Sequence, residues 1–165
     1  MIRPVRYALL ATLPVAALLV PAGPASADPP VVDLNCVTTV TTTLHPNVDL
    51  EFKTFTVNSN GLTGTADCTG TIDGATVTGP GQFAVNEVVT GNCFGATGSG
   101  TFVLQVPTTE GIKTVTGQFD LVASPTTGTV HTGDLTGTST VVAANGDCVN
   151  TPITEATAVL IDHVT

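Results

Sequence analysis

The sequence predicts a small all-β domain of about eight antiparallel strands, folded as an up-and-down β-barrel, with a β-sandwich as the alternative. Three observations support this fold class. Residues 28–165 are rich in Thr, Val and Gly and show no helical periodicity. Short segments alternate apolar and polar residues between turn signals such as residues 58–61. Two segments of the chain also resemble each other, as expected for a repeated two-strand unit.

The alternation of apolar and polar residues sets the predicted positions of the strands. They are 34–44, 48–58, 62–72, 75–78 continuing through 82–89, 94–106, 112–123, 129–143 and 153–164. Pro80 and Gly81 should interrupt the fourth strand, because proline cannot donate a hydrogen bond to a central strand pair. Residues 45–47 (His-Pro-Asn) are predicted to form a hairpin turn. The short connections favour antiparallel pairing of neighbouring strands.

The internal repeat favours a barrel over a sandwich. Residues 81–83 (Gly-Gln-Phe) recur as residues 117–119, and with one residue inserted the Thr-Gly pairs at 90–91 and 127–128 also align. A two-strand unit repeated around a sheet suits either architecture. A closed barrel has the further advantage that it leaves no edge strand exposed to aggregation.

The first 27 residues predict a secretory signal peptide that is cleaved from the chain. Two arginines precede an apolar run over residues 7–20, and the small residues Ala25 and Ala27 then lead to Asp28. The apolar run is shorter than the roughly 20 residues that a membrane-spanning helix needs. We therefore expect cleavage after Ala27, leaving residues 28–165 as one secreted, extracellular domain without a membrane anchor.

The composition of the mature chain excludes several classes of partner. The mature chain has two basic residues, Lys53 and Lys113, and thirteen acidic residues, which gives a formal charge of 2 − 13 = −11. Nucleic acids and anionic membranes are bound by clustered Lys and Arg, so neither is expected as a partner. No Trp, Tyr or Arg remains after cleavage, which disfavours carbohydrate-binding and antibody-like recognition surfaces.

Four cysteines predict a framework of two disulfides. Cys36, Cys68, Cys93 and Cys148 form an even set in an exported chain, and their wide spacing does not suit a zinc site. Three pairings are possible. We favour Cys68–Cys93 together with Cys36–Cys148, which would close one local loop and clamp the two chain ends.

The order of these features resembles a known group of proteins. A signal peptide is followed by Thr-rich strands with a cysteine, a Gly-x-Gly-Thr-Phe strand at 98–102, a turn near residues 110–111 and a Gly-rich hairpin before the last cysteine. This order is similar to that of small secreted all-β proteins of actinobacteria, most of which have no assigned function. The resemblance implies a bacterial, extracellular setting and assigns no site residues.

Candidate catalytic and metal-binding residues form no recognisable motif. His45, His131 and His163 are far apart in sequence, so structural or solvated roles are favoured for each. The serines include no Gly-x-Ser-x-Gly motif. Asp67 and Asp73, and the turn at residues 145–147, offer the oxygen ligands that Ca²⁺ takes, but ordinary turn roles are favoured. No other cofactor is expected.

These observations favour a non-enzymatic secreted protein that binds a small apolar ligand. Four phenylalanines are predicted to line its cavity: Phe52, Phe83, Phe102 and Phe119. The first alternative is an extracellular protein-interaction module, such as a protease inhibitor, acting through residues 107–111 or 145–152. The second is a carboxylate-dependent hydrolase or isomerase, which requires two carboxylates that face each other inside a cavity.

Overall fold

The fold is built entirely from antiparallel strands, as the sequence predicts. The structure, a computed structural model, describes residues 30–131 and 135–165. The strands within these ranges are β1 (Val32–Val48), β2 (Lys53–Asn58), β3 (Gly64–Ile72), β4 (Ala75–Thr76), β5 (Gly81–Asn92), β6 (Gly95–Thr108), β7 (Gly111–Ala123), β8 (Thr127–His131), β9 (Leu135–Asn145) and β10 (Ile153–Val164). No membrane-spanning helix occurs in these two ranges. The predicted signal peptide and its cleavage site at Ala25, Ala27 and Asp28 lie outside them.

The strand pairing closes into a ring. β1 pairs with β10 on one side and with both β2 and β3 on the other, and β5 in turn pairs with both β2 and β3. β2 and β3 therefore occupy one position between β1 and β5. The ring then continues through β6, β7, β8 and β9 to β10, with every neighbouring pair antiparallel. This gives eight ring positions, and β4 is a short hairpin partner of β3.

Ser59 joins β2 and β3 into one interrupted strand. Its backbone N–H donates to the carbonyl of Val85 on β5 at 3.1 Å, and its hydroxyl accepts the N–H of Val85 at 3.0 Å. The side chain thus supplies the acceptor that a backbone carbonyl would supply in an unbroken strand. Asn60 and Gly61 then turn the chain with φ values of 55° and 97°, in the left-handed region that glycine adopts without strain.

Three strand predictions need correction. Segments 48–58 and 62–72 were expected as separate neighbours in the sheet, but their paired parts share one ring position. Segment 129–143 was expected as one strand, but β8 and β9 form a hairpin within it. The expected turn at residues 45–47 is wrong, because β1 continues to Val48 with a register shift against β10. The turn comes at Asp49 instead, whose carboxylate accepts hydrogen bonds from the Glu51 N–H and the Lys53 Nζ.

The inner face of the ring carries the apolar residues, and one end of the interior is filled by them. Alternate residues of β1, β3, β6 and β10 point inward and are buried. The fully buried side chains at this end include Leu34, Ile72, Phe102, Leu104 and Val106. The opposite end is formed by the connections at residues 49–52, 93–94, 124–126 and 146–152, and we call it the mouth end.

The described structure contains two disulfides, but the favoured pairing of the cysteines is wrong. Cys36 pairs with Cys68, and Cys93 pairs with Cys148. Cys36 and Cys68 lie directly opposite each other on β1 and β3, because β3 lies beside the first half of β1. The second disulfide ties two connections at the mouth end to each other. Neither bridge clamps the two chain ends.

Disulfide mapping of the secreted protein tests this pairing. We expect non-reduced proteolytic fragments to contain Cys36 joined to Cys68, and Cys93 joined to Cys148. The double variant Cys36→Ala/Cys68→Ala should lose roughly 2–4 kcal/mol of unfolding free energy, measured by chemical denaturation. Cys93→Ala/Cys148→Ala should lose at least as much, because this bridge spans 55 residues against 32 for Cys36–Cys68, and a longer closed loop restricts the unfolded chain more. A fragment that joins Cys68 to Cys93 would contradict the structure.

Replacement of Ser59 tests the interrupted strand. Ser59→Ala removes the acceptor of the Val85 N–H, and an unpaired buried donor costs about 1–3 kcal/mol of unfolding free energy. Hydrogen exchange at the Val85 amide should also become faster than in the wild type. Ser99→Ala, on the exposed outer face of β6, is the matched control and should change neither quantity. Equal effects of the two substitutions would show that Ser59 plays no special part in the sheet.

Candidate functional site

A cavity of about 170 Å³ lies in the ring interior between the packed core and the mouth end. Its walls are mostly apolar and come from β1, β2, β5, β6, β7, β9 and β10. Val40, Phe55, Val85, Leu121 and Leu160 are among the lining residues. At the mouth end the lining reaches Asn92, Cys93, Ser124 and Pro125. The entrance to the cavity therefore lies among the connections of the mouth end.

The structure places the four phenylalanines predicted for the cavity in three different environments. Phe83 and Phe119 line it from β5 and β7. Phe102 lies outside the lining, in the packed core, where its ring stacks on Phe83 with the centroids 6.1 Å apart. Phe52 lies in the connection between β1 and β2 with 69% of its surface exposed, so its expected place in the cavity does not hold.

The mouth end is held in place by a network of local bonds. The disulfide Cys93–Cys148 links two of its connections, and the Cys93 N–H donates to the carbonyl of Asp49 in a third. Asp147 stiffens the last connection, because its Oδ1 accepts the backbone N–H groups of Val149, Asn150 and Thr151. The hydrogen bond from the Asn150 side chain, together with these backbone hydrogen bonds, lowers the pKa of Asp147 far below its usual value. The entrance is thus a braced structure.

Glu87 points into this apolar cavity from β5. It occupies the inward-facing positions of that strand together with Phe83, Val85 and Val89. Space for its side chain comes from the facing position on β6, which is Gly100. A Cβ atom at Gly100 would lie 2.7 Å from the Glu87 Cγ and 2.9 Å from the Phe119 Cζ. Glycine at position 100 is therefore required by the close approach of these two side chains and of the Asn86 carbonyl oxygen, which would lie 2.7 Å from such a Cβ atom.

The Glu87 carboxyl has no protein partner in the described ranges. No hydrogen bond or ion pair of its side chain is formed there, and no other ionisable side chain is among the described residues that line the cavity. Part of its surface stays accessible because it borders the cavity, but protein atoms surround it closely. This burial raises the pKa of Glu87 to about 7, because an apolar environment disfavours the charged form.

A second carboxyl, that of Asp162 on β10, also points inward but lies outside the cavity lining. It is buried beside β1, where its Oδ2 accepts a hydrogen bond from the Thr38 hydroxyl at 3.5 Å and its Oδ1 has no partner. Burial raises the pKa of Asp162 to about 6, and the Thr38 hydrogen bond partly opposes this shift. Among the described residues that line the cavity, Glu87 is therefore the one that carries a carboxyl group.

Of the other residues singled out in the sequence, His45, His163, Asp67 and Asp73 lie on the outside of the ring, whereas the side chain of His131 lies outside the described part of the structure. His45 is exposed on β1, and His163 on β10 has its Nε2 3.9 Å from Asp33 Oδ1. Asp67 is exposed on β3, and Asp73 accepts the Val31 N–H in a turn. Among the described residues, no group of three or more His, Cys, Asp or Glu side chains is arranged to hold a metal ion.

Sequence reasoning missed Glu87, although the chain carries a signal for it. Along β5, residues 83, 85 and 89 are apolar and share one face, and Glu87 falls on that same face. A charged residue at an inward-facing position of an otherwise apolar strand is uncommon, because its burial costs free energy. The same argument applies to Asp162, which shares a face with Ala158, Leu160 and Val164 on β10.

Comparison with known proteins adds no further information about this site. No family model matches the chain, and neither a curated protein nor a solved structure matches it.

The raised pKa of Glu87 predicts a characteristic dependence of stability on pH. The folded state holds this proton up to about pH 7, whereas the unfolded state loses it near pH 4.5. The contribution of Glu87 to stability is therefore least unfavourable below pH 4.5, becomes more unfavourable as the pH rises from 4.5 to about 7, and stays constant at higher pH. The difference in unfolding free energy between Glu87→Gln and the wild type should grow in favour of the variant by roughly 1–3 kcal/mol as the pH rises from 4.5 to 8.

Chemical denaturation of both proteins across this pH range measures the difference. Glu51→Gln is the matched control, because it removes the same charge from an exposed side chain at the same end of the ring. If the stability difference between Glu87→Gln and the wild type did not change with pH, the Glu87 carboxyl would not be buried as described.

Proposed function

We propose that this protein is a secreted, non-enzymatic binding protein that holds a small, mostly apolar ligand in the cavity of its ring. The observation that carries the proposal is the cavity itself, with apolar walls and an entrance at a braced mouth end. Ligand sites in proteins are commonly concave and apolar with a few polar groups that orient the ligand. The cavity has both properties.

The volume of the cavity limits the size of the ligand. An engineered apolar cavity of about 150 Å³ in another protein binds benzene and stays dry without it. The cavity here, at about 170 Å³, is of similar size. The proposed ligand therefore has roughly six to ten non-hydrogen atoms inside the ring, as a single aromatic ring or a short branched chain has.

Export to the outside of the cell is part of the proposal. The features that support it are the predicted signal peptide and the two disulfides of the described structure, since disulfides persist in oxidising compartments. Ring closure also suits a secreted protein, because it leaves few unpaired strand edges that could aggregate. In the described residues, a partner lies on both sides of each long strand, namely β1, β5, β6, β7, β9 and β10.

A second candidate function is recognition of an extracellular protein by the mouth end. The observation that favours it is a group of exposed apolar side chains on three adjacent connections, namely Leu50, Phe52, Phe94 and Val149. Exposed apolar groups that lie on braced loops are typical of interaction sites. The other loop considered in the sequence, 107–111, is the tight turn between β6 and β7 at the opposite end.

Filling the cavity tests the binding proposal. In the wild type, we expect toluene to shift the NMR signals of amides around the cavity, such as those of Val85 and Phe119. Ala158→Phe places an aromatic ring inside the cavity from β10 and should abolish these shifts, because the ligand and the new side chain compete for one volume. If this variant does not fold, Val141→Phe narrows the cavity from the paired position on β9.

The matched control is Val88→Phe, which adds the same ring on the exposed outer face of β5. It should bind toluene as the wild type does. An absence of ligand-induced shifts in the folded wild type, or equal binding by the cavity-filled variant, would contradict the proposed cavity site.

A further inference from the structure

We propose that the ligand of the cavity is a small apolar amine whose protonated nitrogen binds the Glu87 carboxylate. This inference rests on the proposed function and adds the chemical class of the ligand. It depends on three observations, which are the unpaired carboxyl inside the cavity, the space made for it by Gly100, and the absence of any unpaired cation near the entrance in the described residues.

The neighbours of the Glu87 side chain leave its carboxyl without a hydrogen-bond donor. Its neighbours across the ladder are Val57 on β2 and Gly100 on β6, and Phe119 from β7 lies against the position of Gly100. None of these side chains donates a hydrogen bond. Buried carboxyls in proteins are normally paired or hydrogen-bonded, because an isolated one is costly. A ligand with an N–H donor would satisfy this carboxyl in the middle of an otherwise apolar site.

The charged groups around the cavity favour a cation over an anion. Lys53 at the mouth end is already paired with Asp49 at 2.7 Å, and Lys113 at the opposite end lies 3.1 Å from Glu110. Glu51 and Asp147 add negative charge on the connections of the mouth end. A strongly acidic protein attracts cations towards such an entrance and repels anions. Fatty acids and phosphate esters are therefore poor candidates.

The same charges define how binding should respond to pH. Around Glu87, the described lining residues from the other strands contribute no titratable group. Outside the lining, the charged groups of the surrounding elements include the Asp49–Lys53 pair at the mouth end and Asp162, which lies beside Thr38. A simple alkyl amine keeps its proton to about pH 10. Binding should therefore follow the ionisation of Glu87 and strengthen as the pH rises.

Benzylamine and toluene form a pair of probes that differ in the amine alone. At pH 8, calorimetric or NMR titration of the wild type should give tighter binding of benzylamine than of toluene. Glu87→Gln should weaken benzylamine binding by about 10- to 100-fold, the range expected for the loss of a hydrogen bond to a charged group, and should leave toluene binding unchanged. Below pH 7, benzylamine affinity should fall by up to about tenfold per pH unit in the wild type and stay constant in the variant.

Two outcomes would overturn this inference in different ways. If toluene binds and benzylamine binds no more tightly at pH 8, the cavity is a ligand site but its ligand is not an amine. If neither compound binds to the folded protein, both the amine proposal and the proposed function are wrong. Asp67→Asn, which removes an exposed charge from the outer face of β3, should behave as the wild type, and a loss of benzylamine affinity in this control would assign the effect to overall charge instead of to Glu87.

Discussion

The pairing of the first strand with the last is the interaction on which the rest of the structure depends. β1 and β10 match over ten consecutive residue pairs, from Leu34 with Val164 to Thr43 with Glu155. This pairing turns a row of hairpins into a ring, so that one face of every long strand becomes interior. Without it, the inward-facing residues of β1 and β10 would lie at two open edges. The core, the cavity and the inward position of Glu87 all follow from this closure.

The inward-pointing side chains do not fill the whole interior volume of the ring. At the core end, Leu34, Phe102 and Leu104 occupy the interior completely. A second buried cluster, which includes Val48 and Phe55, lies towards the mouth end, and small residues such as Ala96, Ala156 and Ser139 line the cavity. Apolar groups attract one another without direction, so close packing is reached only where side-chain volumes match the space. The small side chains among the lining residues therefore explain where the empty volume lies.

Much of this architecture follows from local sequence, and the parts that do not are set by long-range pairing. Alternation along residues 82–89 predicted the course of β5, and the phenylalanines of the two Gly-Gln-Phe segments both point inward, from β5 and from β7. The cysteine pairing depends on β3 lying beside β1, which requires β2 and β3 to share one position through Ser59. No local pattern encodes that arrangement. The role of Glu87 was readable from strand alternation, but only once the inward face of β5 was known.

The two inward carboxyls differ in whether a protein group or the cavity lies beside them. Asp162 lies beside the packed residues of β1 and has a hydroxyl from Thr38, so the fold itself accommodates it. Glu87 lies at the cavity, where Gly100 gives it room and no protein group in the described ranges satisfies it. Both carboxyls cost unfolding free energy as the pH rises, since burial raises the pKa of each. A ligand can offset that cost only for Glu87, because Asp162 does not border the cavity.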